Sequence, residues 1–193
     1  NLATRFSLNE FTLLLYQKQA FHEKNFLVDG AKAIFVTGTV IYKEMDYCGS
    51  IKLLLDDFSN NRFDPSRLYG NYFIIFKAGD QLFYFIDPSG NYSVYLDREN
   101  NSLSSSFLAS AISSKRKLKP NKAAIIELLV TGNLIGPETI FEGIERNEPS
   151  SGTKIFGLTQ LNGRLTDIIN FNGKSKFDED FQLEILKNTI SNF

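Results

Sequence analysis

The stretch YFIIFKAGDQLFYFID, Tyr72 to Asp87, decides the fold because two near-continuous apolar runs flank a short polar segment. The runs extend from Tyr72 to Phe76 and from Leu82 to Asp87, and residues 77–81 between them contain Gly79, a residue type typical of turns. Consecutive apolar positions in a strand point to both faces of its sheet, so both faces need cover. The stretch therefore predicts a β-hairpin in a sheet that is packed on both sides.

Composition indicates one globular domain and names no partner. The chain has 193 residues, of which 42% are hydrophobic, enough for a single well-buried core. Its 21 basic and 22 acidic residues give no net field that would draw it to nucleic acid or to an anionic membrane. Cys48 and His22 are the single residues of their types, which excludes an internal disulfide framework and multi-cysteine zinc sites. The first thirty residues lack a signal-peptide core and a spanning segment, so we expect a soluble cytoplasmic protein.

Further elements follow from periodicity and from capping residues. Short apolar runs predict strands at residues 11–16, 26–28 and 33–40, and the spacing predicts a helix at 51–58 with Ser50 as its N-cap and Asn60-Asn61 as its stop. Beyond the hairpin we expect strands at 92–96, 102–106, 154–158 and 164–170, and helices at 107–113, 121–131 and 177–193. Gly132 directly follows the second of these helices and is expected to end it in a left-handed conformation. This order favours an α+β fold in which helices face two antiparallel sheets.

Several short segments, in order, carry a resemblance. Leu68–Phe73 looks like the strand pattern "L-x-G-x-F-A", Asp87–Tyr95 like "R-D-x-x-G-x-x-P-L-Y", Leu103–Ser106 like "F-A-S-E", and Thr139–Ile144 like "T-x-F-x-G-I". With these segments the chain resembles the glutamine amidotransferase domain of the asparagine synthetase family. Val36–Val40 is similar to "V-N-G-E-I", the strand that supplies the oxyanion hole in that family.

The resemblance implies a fold, a domain plan and partners. The implied fold is a four-layer αββα sandwich of two antiparallel sheets, of the N-terminal-nucleophile hydrolase type. Residues 1–176 would form the amidotransferase-like domain, and residues 177–193 resemble the helix that leads into the synthetase domain. ATP and magnesium would belong only to that synthetase part, so no cofactor is expected in this chain. The partner implied is a synthetase domain or subunit that contacts the C-terminal helix, and a homo-oligomer is also compatible with the resemblance.

The residues that the chemistry needs depart from the family pattern. The family uses an N-terminal cysteine as nucleophile, whereas residue 1 here is Asn, and Thr37 replaces the oxyanion-hole Asn. The acidic pair "D-x-E" that precedes the helix aligns with Gly49-Ser50-Ile51, which carries no charge. We therefore expect no catalytic residue and a vestigial glutamine pocket at Thr37, Gly38, Gly49 and Asp87.

Other conspicuous residues have simpler structural interpretations. Cys48 has no basic neighbour, so an idle thiol is favoured over a relocated nucleophile. The basic residues at 115–119 fit a solvated loop. The acidic residues at 56–57 fit an ordinary surface position, and those at 178–180 fit the N-terminus of a helix, so no metal site is implied. Asp87 fits a turn residue that accepts hydrogen bonds from its own backbone.

Three functional hypotheses follow. The first is a catalytically silent amidotransferase-like domain with a structural or docking role in an ATP-dependent, amide-forming synthetase system. The second is an active amidotransferase or hydrolase whose nucleophile lies outside this sequence or is exposed by processing, for example at Thr4 or Ser7. The third is a stand-alone module that binds a small ligand in the pocket of Thr37, Gly38, Gly49 and Asp87.

Overall fold

The computed structural model describes residues 4–8, 11–16 and 24–147, together with the backbone of residues 154–155 and 158–160. In chain order its elements are β1 (Thr4–Leu8), β2 (Phe11–Leu15), β3 (Phe26–Asp29), β4 (Lys32–Tyr42), α1 (Tyr47–Ser59), β5 (Leu68–Ala78), β6 (Gln81–Ile86), β7 (Val94–Asp97), β8 (Ser102–Ser104), α2 (Phe107–Ser113), α3 (Lys122–Thr131), β9 (Ile144–Asn147), β10 (Lys154–Ile155) and β11 (Leu158–Gln160). A single 3-10 turn at Pro65–Arg67 precedes β5. The α+β class predicted from the sequence is confirmed.

The described strands form one large sheet and two small ones. The large sheet has six strands in the order β10-β11-β6-β5-β4-β3, and all its neighbouring pairs are antiparallel except β11 with β6. The small sheets are β1-β2 and β8-β7-β9, both antiparallel. The described strands thus fall into three hydrogen-bonded sheets, because β1-β2 and β8-β7-β9 pair separately, and the arrangement in two stacked sheets stays a prediction.

The β5-β6 hairpin lies at the centre of the large sheet, as the opening stretch predicted. Its connection is shorter than expected: Ala78 pairs with Gln81, which leaves only Gly79 and Asp80 in the turn. Gly79 has φ +59°, a conformation that glycine adopts at little cost. Residues Tyr72 to Phe76 are all buried, which confirms that both faces of the sheet are covered.

Each face of the large sheet has its own core. On one face, α1 packs through Ile51, Leu54 and Leu55 against a group of buried strand side chains: Ile34, Val36, Val40, Tyr42, Leu68, Tyr72, Ile74, Phe76 and Phe85. The other face packs against the two small sheets. The large sheet contributes Ala33, Phe35, Phe73, Ile75, Leu82, Tyr84 and Ile86, and the small sheets contribute Leu8, Leu15, Val94 and Leu96. The alternation of side chains along β4 and β5 sends neighbouring residues into different cores.

Along the chain, helices α2 and α3 lie between β8 and β9 of the three-stranded sheet. The ring centroids of Phe107 in α2 and Tyr95 in β7 are 5.4 Å apart, so α2 packs on the side of β7 that carries Tyr95. Val94 and Leu96, on either side of Tyr95 in the strand, lie in the core on the opposite side. Helix α3 begins after Asn121, whose side chain accepts from the Ala124 amide, and ends at Gly132 in the left-handed conformation, as predicted. Only Ala124 of α3 is buried, so most of this apolar helix is open to solvent.

The predicted start of α1 was wrong. The helix begins at Tyr47, one turn earlier than expected, because the Asp46 side chain accepts a hydrogen bond from the Gly49 amide at 2.7 Å and serves as the N-cap. Ser50 lies inside the helix, where its buried hydroxyl donates to the Met45 carbonyl and accepts from the Tyr42 amide. The predicted stop at Asn60 is confirmed.

The C-terminal predictions have mixed outcomes. Residues 154–158 do not form a single strand, because Ile155 pairs with Leu158 in a tight antiparallel arrangement of β10 and β11. The predicted strand at 164–170 and the predicted helix at 177–193 lie outside the described residues. Among the residues that are described, no helix is long and apolar enough to span a membrane.

Candidate functional site

A cavity of about 390 Å³ opens beside the middle of β4, next to the start of α1. Thr37 and Gly38 lie in its wall, and most of the other lining side chains are apolar or aromatic. The full lining is Leu14, Leu15, Tyr16, Asn25, Val36, Thr37, Gly38, Thr39, Val40, Ile41, Met45, Asp46, Tyr47, Tyr92 and Ser105. Its volume falls within the range of small-molecule sites, and its apolar wall with a few polar groups is typical of them.

Gly38 is required by the close approach of β4 to β5. It has φ +93°, and a Cβ atom at this position would lie 2.0 Å from the Asn71 carbonyl oxygen. On the same pair of strands, Gly70 has φ +121°, and its Cβ would lie 2.1 Å from the Thr39 carbonyl oxygen. Any larger residue would strain the backbone and push the strands apart. The backbone that borders the cavity is thus fixed by two glycines.

In the described part of the wall, Asn25 and Thr37 each have a side-chain oxygen without a hydrogen-bond partner. Asn25 is only 7% exposed, and its side-chain amide donates to the Val36 carbonyl at 3.0 Å, while the Val36 amide donates to the Asn25 carbonyl at 2.8 Å. These bonds leave the Asn25 Oδ1 atom buried and unpaired. The Thr37 Oγ1 atom is buried and unpaired as well. Buried polar atoms without a partner are uncommon in native structures, and each needs an explanation.

The edge of the cavity near α1 carries one carboxylate. Asp46 is exposed there, and its Oδ1 atom already accepts the Gly49 amide proton. Gly49 itself is not in the cavity wall, although it was predicted to belong to the pocket. The family's acidic pair aligns with residues 49–51, which the structure places in the first turns of α1, with Ser50 and Ile51 buried. No acidic group therefore stands at the aligned positions.

Asp87 lies just after β6, in the turn that the sequence predicted. Its Oδ1 atom accepts from the Ser89 amide at 2.9 Å, its carbonyl accepts from the Gly90 amide, and its own amide donates to the Tyr72 carbonyl. Burial raises the pKa of the Tyr72 hydroxyl well above its ordinary value, and the negative charge of Asp87 raises it further. Asp87 does not line the cavity, so the structure brings together Thr37 and Gly38 of the predicted pocket but not Gly49 and Asp87.

Several lining residues lie far from Thr37 along the chain and were not predicted from the sequence. Tyr92 and Ser105 both lie within the segments that carried the resemblance, Asp87–Tyr95 and Leu103–Ser106, so this signal could have pointed to them. Asn25 gave no such signal, because a single polar residue before a strand is ordinary. Its place in the wall depends on the pairing of β3 with β4, which aligns Phe26 with Phe35.

The alternative nucleophiles lie elsewhere. Cys48 is exposed on α1 and forms no disulfide, and it is absent from the cavity lining. Thr4 and Ser7 occupy exposed positions of β1 and do not line the cavity either.

Asp56, Asp57 and Arg116, which are among the charged residues singled out in the sequence, form ion pairs. Asp57 pairs with Lys43 and Arg62, and Arg62 also contacts Asp56 at 2.7 Å. In the basic loop, Arg116 contacts Glu99 at 2.6 Å. Within the described part of the chain, no group of three or more His, Cys, Asp or Glu side chains is arranged to hold a metal ion.

A second cavity, of about 560 Å³, lies between the β1-β2 hairpin and the large sheet. Its wall is mainly core side chains such as Leu8, Phe73 and Leu82, and it contains none of the predicted pocket residues. The first cavity is therefore the stronger candidate site.

The fold and the cavity together define an α+β protein with a small, mainly apolar pocket beside a glycine-constrained strand. Comparison of the chain with protein-family models, with curated proteins and with solved structures finds no match.

Proposed function

We propose that this chain is a catalytically silent, glutamine-amidotransferase-like domain that serves a structural or docking role in an ATP-dependent, amide-forming synthetase system. The observation that carries the proposal is the convergence of three resembling segments at one cavity. Thr37 and Gly38 come from the first, Tyr92 from the second and Ser105 from the third, although 68 positions separate Thr37 from Ser105 in the sequence. Segments that resemble an active-site pattern and line one pocket support a common origin of that pocket.

The chemistry of the cavity supports a silent site. Its described lining includes no Cys, Lys, Arg or His, so neither a thiol nucleophile nor a cation for a substrate carboxylate is present in it. Thr37 stands where the family has an Asn. The Thr side chain is shorter than that of Asn, so its hydroxyl reaches less far than the Asn amide. Loss of one oxyanion donor costs roughly 100-fold to 1000-fold in rate. Glutaminase turnover is therefore not expected from this pocket.

The layering of the described elements supports the proposed fold. Helix α1 covers one face of the six-stranded sheet, the small sheets cover the other, and α2 packs on β7 beyond them. We propose that this order corresponds to the four-layer αββα sandwich of N-terminal-nucleophile hydrolases. In this proposal, ATP and magnesium act in the synthetase part, in the cytoplasm, and residues 177–193 provide contact with that part.

Glutamate release from glutamine, measured on the native protein and on its Cys48→Ser variant, tests the proposal. We expect no turnover above that of the buffer for either protein. Turnover that survives the Cys48→Ser change would overturn the silent assignment and favour a nucleophile outside this sequence, or one exposed by processing. Turnover lost with Cys48→Ser would instead identify a relocated thiol. A Ser106→Ala variant, altered at the N-cap of α2 and outside the cavity wall, controls for general effects of substitution.

A further inference from the structure

We propose that the cavity beside β4 binds a small, mainly apolar molecule that carries an N-H or O-H hydrogen-bond donor and no negative charge. The proposal rests on the cavity alone and holds whether or not the chain serves a synthetase. The lining supplies an apolar surface from Leu14, Val36 and Val40, with the aromatic rings of Tyr16, Tyr47 and Tyr92. A cavity of about 390 Å³ accommodates a molecule larger than a few carbon atoms.

The unpaired oxygen of Asn25 gives the ligand its polar requirement. A carboxamide oxygen accepts hydrogen bonds and cannot donate them. The amide cannot be turned around, because its nitrogen donates to the Val36 carbonyl and a reversed amide would bring two oxygens together. The two bonds between Asn25 and Val36 hold this acceptor in place, so a partner must supply the donor.

Thr37 adds a second polar group without changing this requirement. Its buried hydroxyl follows Val36 directly along β4, and it can accept or donate. A ligand hydroxyl or amine can donate a hydrogen bond to the Asn25 oxygen or to the Thr37 hydroxyl, whereas a carboxylate can only accept one, from Thr37. An apolar molecule without any donor would leave the Asn25 oxygen unpaired, and this costs binding free energy.

The charge of the wall excludes anionic ligands. Among the described residues of the lining, Asp46 is the single carboxylate, and none is a lysine, arginine or histidine. An anion that enters would lose hydration and gain no opposite charge in return. A neutral alcohol meets no such penalty, and an ammonium group can lie near Asp46 at the rim.

Three probes with one apolar body test the proposal: phenylbutanol, phenylbutylamine and phenylbutyrate. Isothermal titration on the full chain measures their dissociation constants. We expect the alcohol, the amine or both to bind with a dissociation constant of about 1 mM or tighter, and phenylbutyrate to bind at least roughly tenfold more weakly. Equal affinity for all three probes, or no binding of any, would overturn the proposal.

Matched variants locate the binding. Ile41→Trp places a large ring at the exposed rim and should abolish binding, whereas Val28→Trp alters an exposed strand residue outside the lining and should not. Thr37→Val removes the buried hydroxyl and should weaken phenylbutanol roughly fivefold. Thr12→Val makes the same change at an exposed strand position outside the lining of this cavity and should have no effect. Binding that survives Ile41→Trp, or equal losses in both threonine variants, would contradict the assignment. Neither result bears on glutamate release, so this proposal and the proposed function fail separately.

Discussion

The Tyr42 hydroxyl donates a hydrogen bond to the Asp57 carboxylate at 3.1 Å and thereby connects the end of β4 to α1. Lys43 and Arg62 contact the same carboxylate, which is buried, and the hydroxyl of Tyr42 also accepts from the Asp64 amide at 3.1 Å. This network holds the C-terminal end of α1 against the sheet. Its contribution to folding can be measured in two independent ways.

Asp57 should make folding stability depend on pH. The hydrogen bond from Lys43 lowers the pKa of the Asp57 carboxyl below its ordinary value of 3.8, because it favours the charged form. The stabilisation is fully present above the pKa of the unfolded state and is lost as pH falls through the lower pKa of the folded state. Urea unfolding between about pH 2 and pH 7 should show a smaller loss of stability on acidification for Asp57→Asn than for the wild type. Identical pH profiles would contradict the role given to Asp57.

Tyr42→Phe should destabilise the fold by about 1 to 2 kcal/mol at neutral pH. The substitution keeps the ring in the core and removes only the hydroxyl, so the Asp64 amide and the Asp57 carboxylate each lose a partner. Chemical denaturation measures the change. Tyr69→Phe, at a residue that is 61% exposed, is the control and should stay within about 0.5 kcal/mol of the wild type. Equal losses in the two variants would argue against the network.

The sequence predicted the centre of the fold better than its edges. The β5-β6 hairpin and the Gly132 cap were predictable because apolar runs and turn residues act over a few neighbouring positions. The start of α1 was not, because Asp46 and Ser50 are both good N-caps, and burial of the Ser50 hydroxyl against Met45 and Tyr42 decides between them.

The candidate site was predictable only in part, for a similar reason. Thr37 and Gly38 stand in one strand and could be found by pattern. The contribution of Asn25 depends on strand pairing, and that of Ser105 on the packing of the three-stranded sheet. Asn25 leaves no local mark in the sequence, whereas Ser105 lies in the Leu103–Ser106 segment that carries the resemblance. Gly49 and Asp87 were assigned to the pocket through alignment, but the structure places them in a helix turn and in a strand-end turn.

Gly38→Ala should destabilise the fold by about 3 kcal/mol or more, for two reasons. The new methyl group would collide with the Asn71 carbonyl oxygen, and alanine would have to adopt the positive φ of this position. Gly79→Ala separates the two effects. Gly79 has φ +59° with no atom within 4 Å of the added Cβ, so only the conformational cost of about 1 to 2 kcal/mol remains. Thermal and urea unfolding of both variants give the comparison. A Gly38→Ala variant no less stable than Gly79→Ala would show that β4 and β5 are not in close contact.

The apolar surface of α3 should promote self-association of the isolated chain. Leu129 and Val130 are 80% and 79% exposed, and Ile126 and Ile135 add to the same region of the chain. Exposed apolar surface of this kind favours contact between proteins. Sedimentation velocity should therefore show concentration-dependent association of the wild type, and less of it for a Leu129→Lys, Val130→Glu double variant.

The same double variant should change the free energy of unfolding by no more than about 0.5 kcal/mol, since neither side chain contributes to a core. Ala124→Leu is the matched control on the buried side of α3, where overpacking should cost about 1 to 3 kcal/mol. A wild type that stays monomeric at every concentration would contradict the association. A double variant that loses as much stability as Ala124→Leu would mean that the outer side of α3 packs within the chain itself.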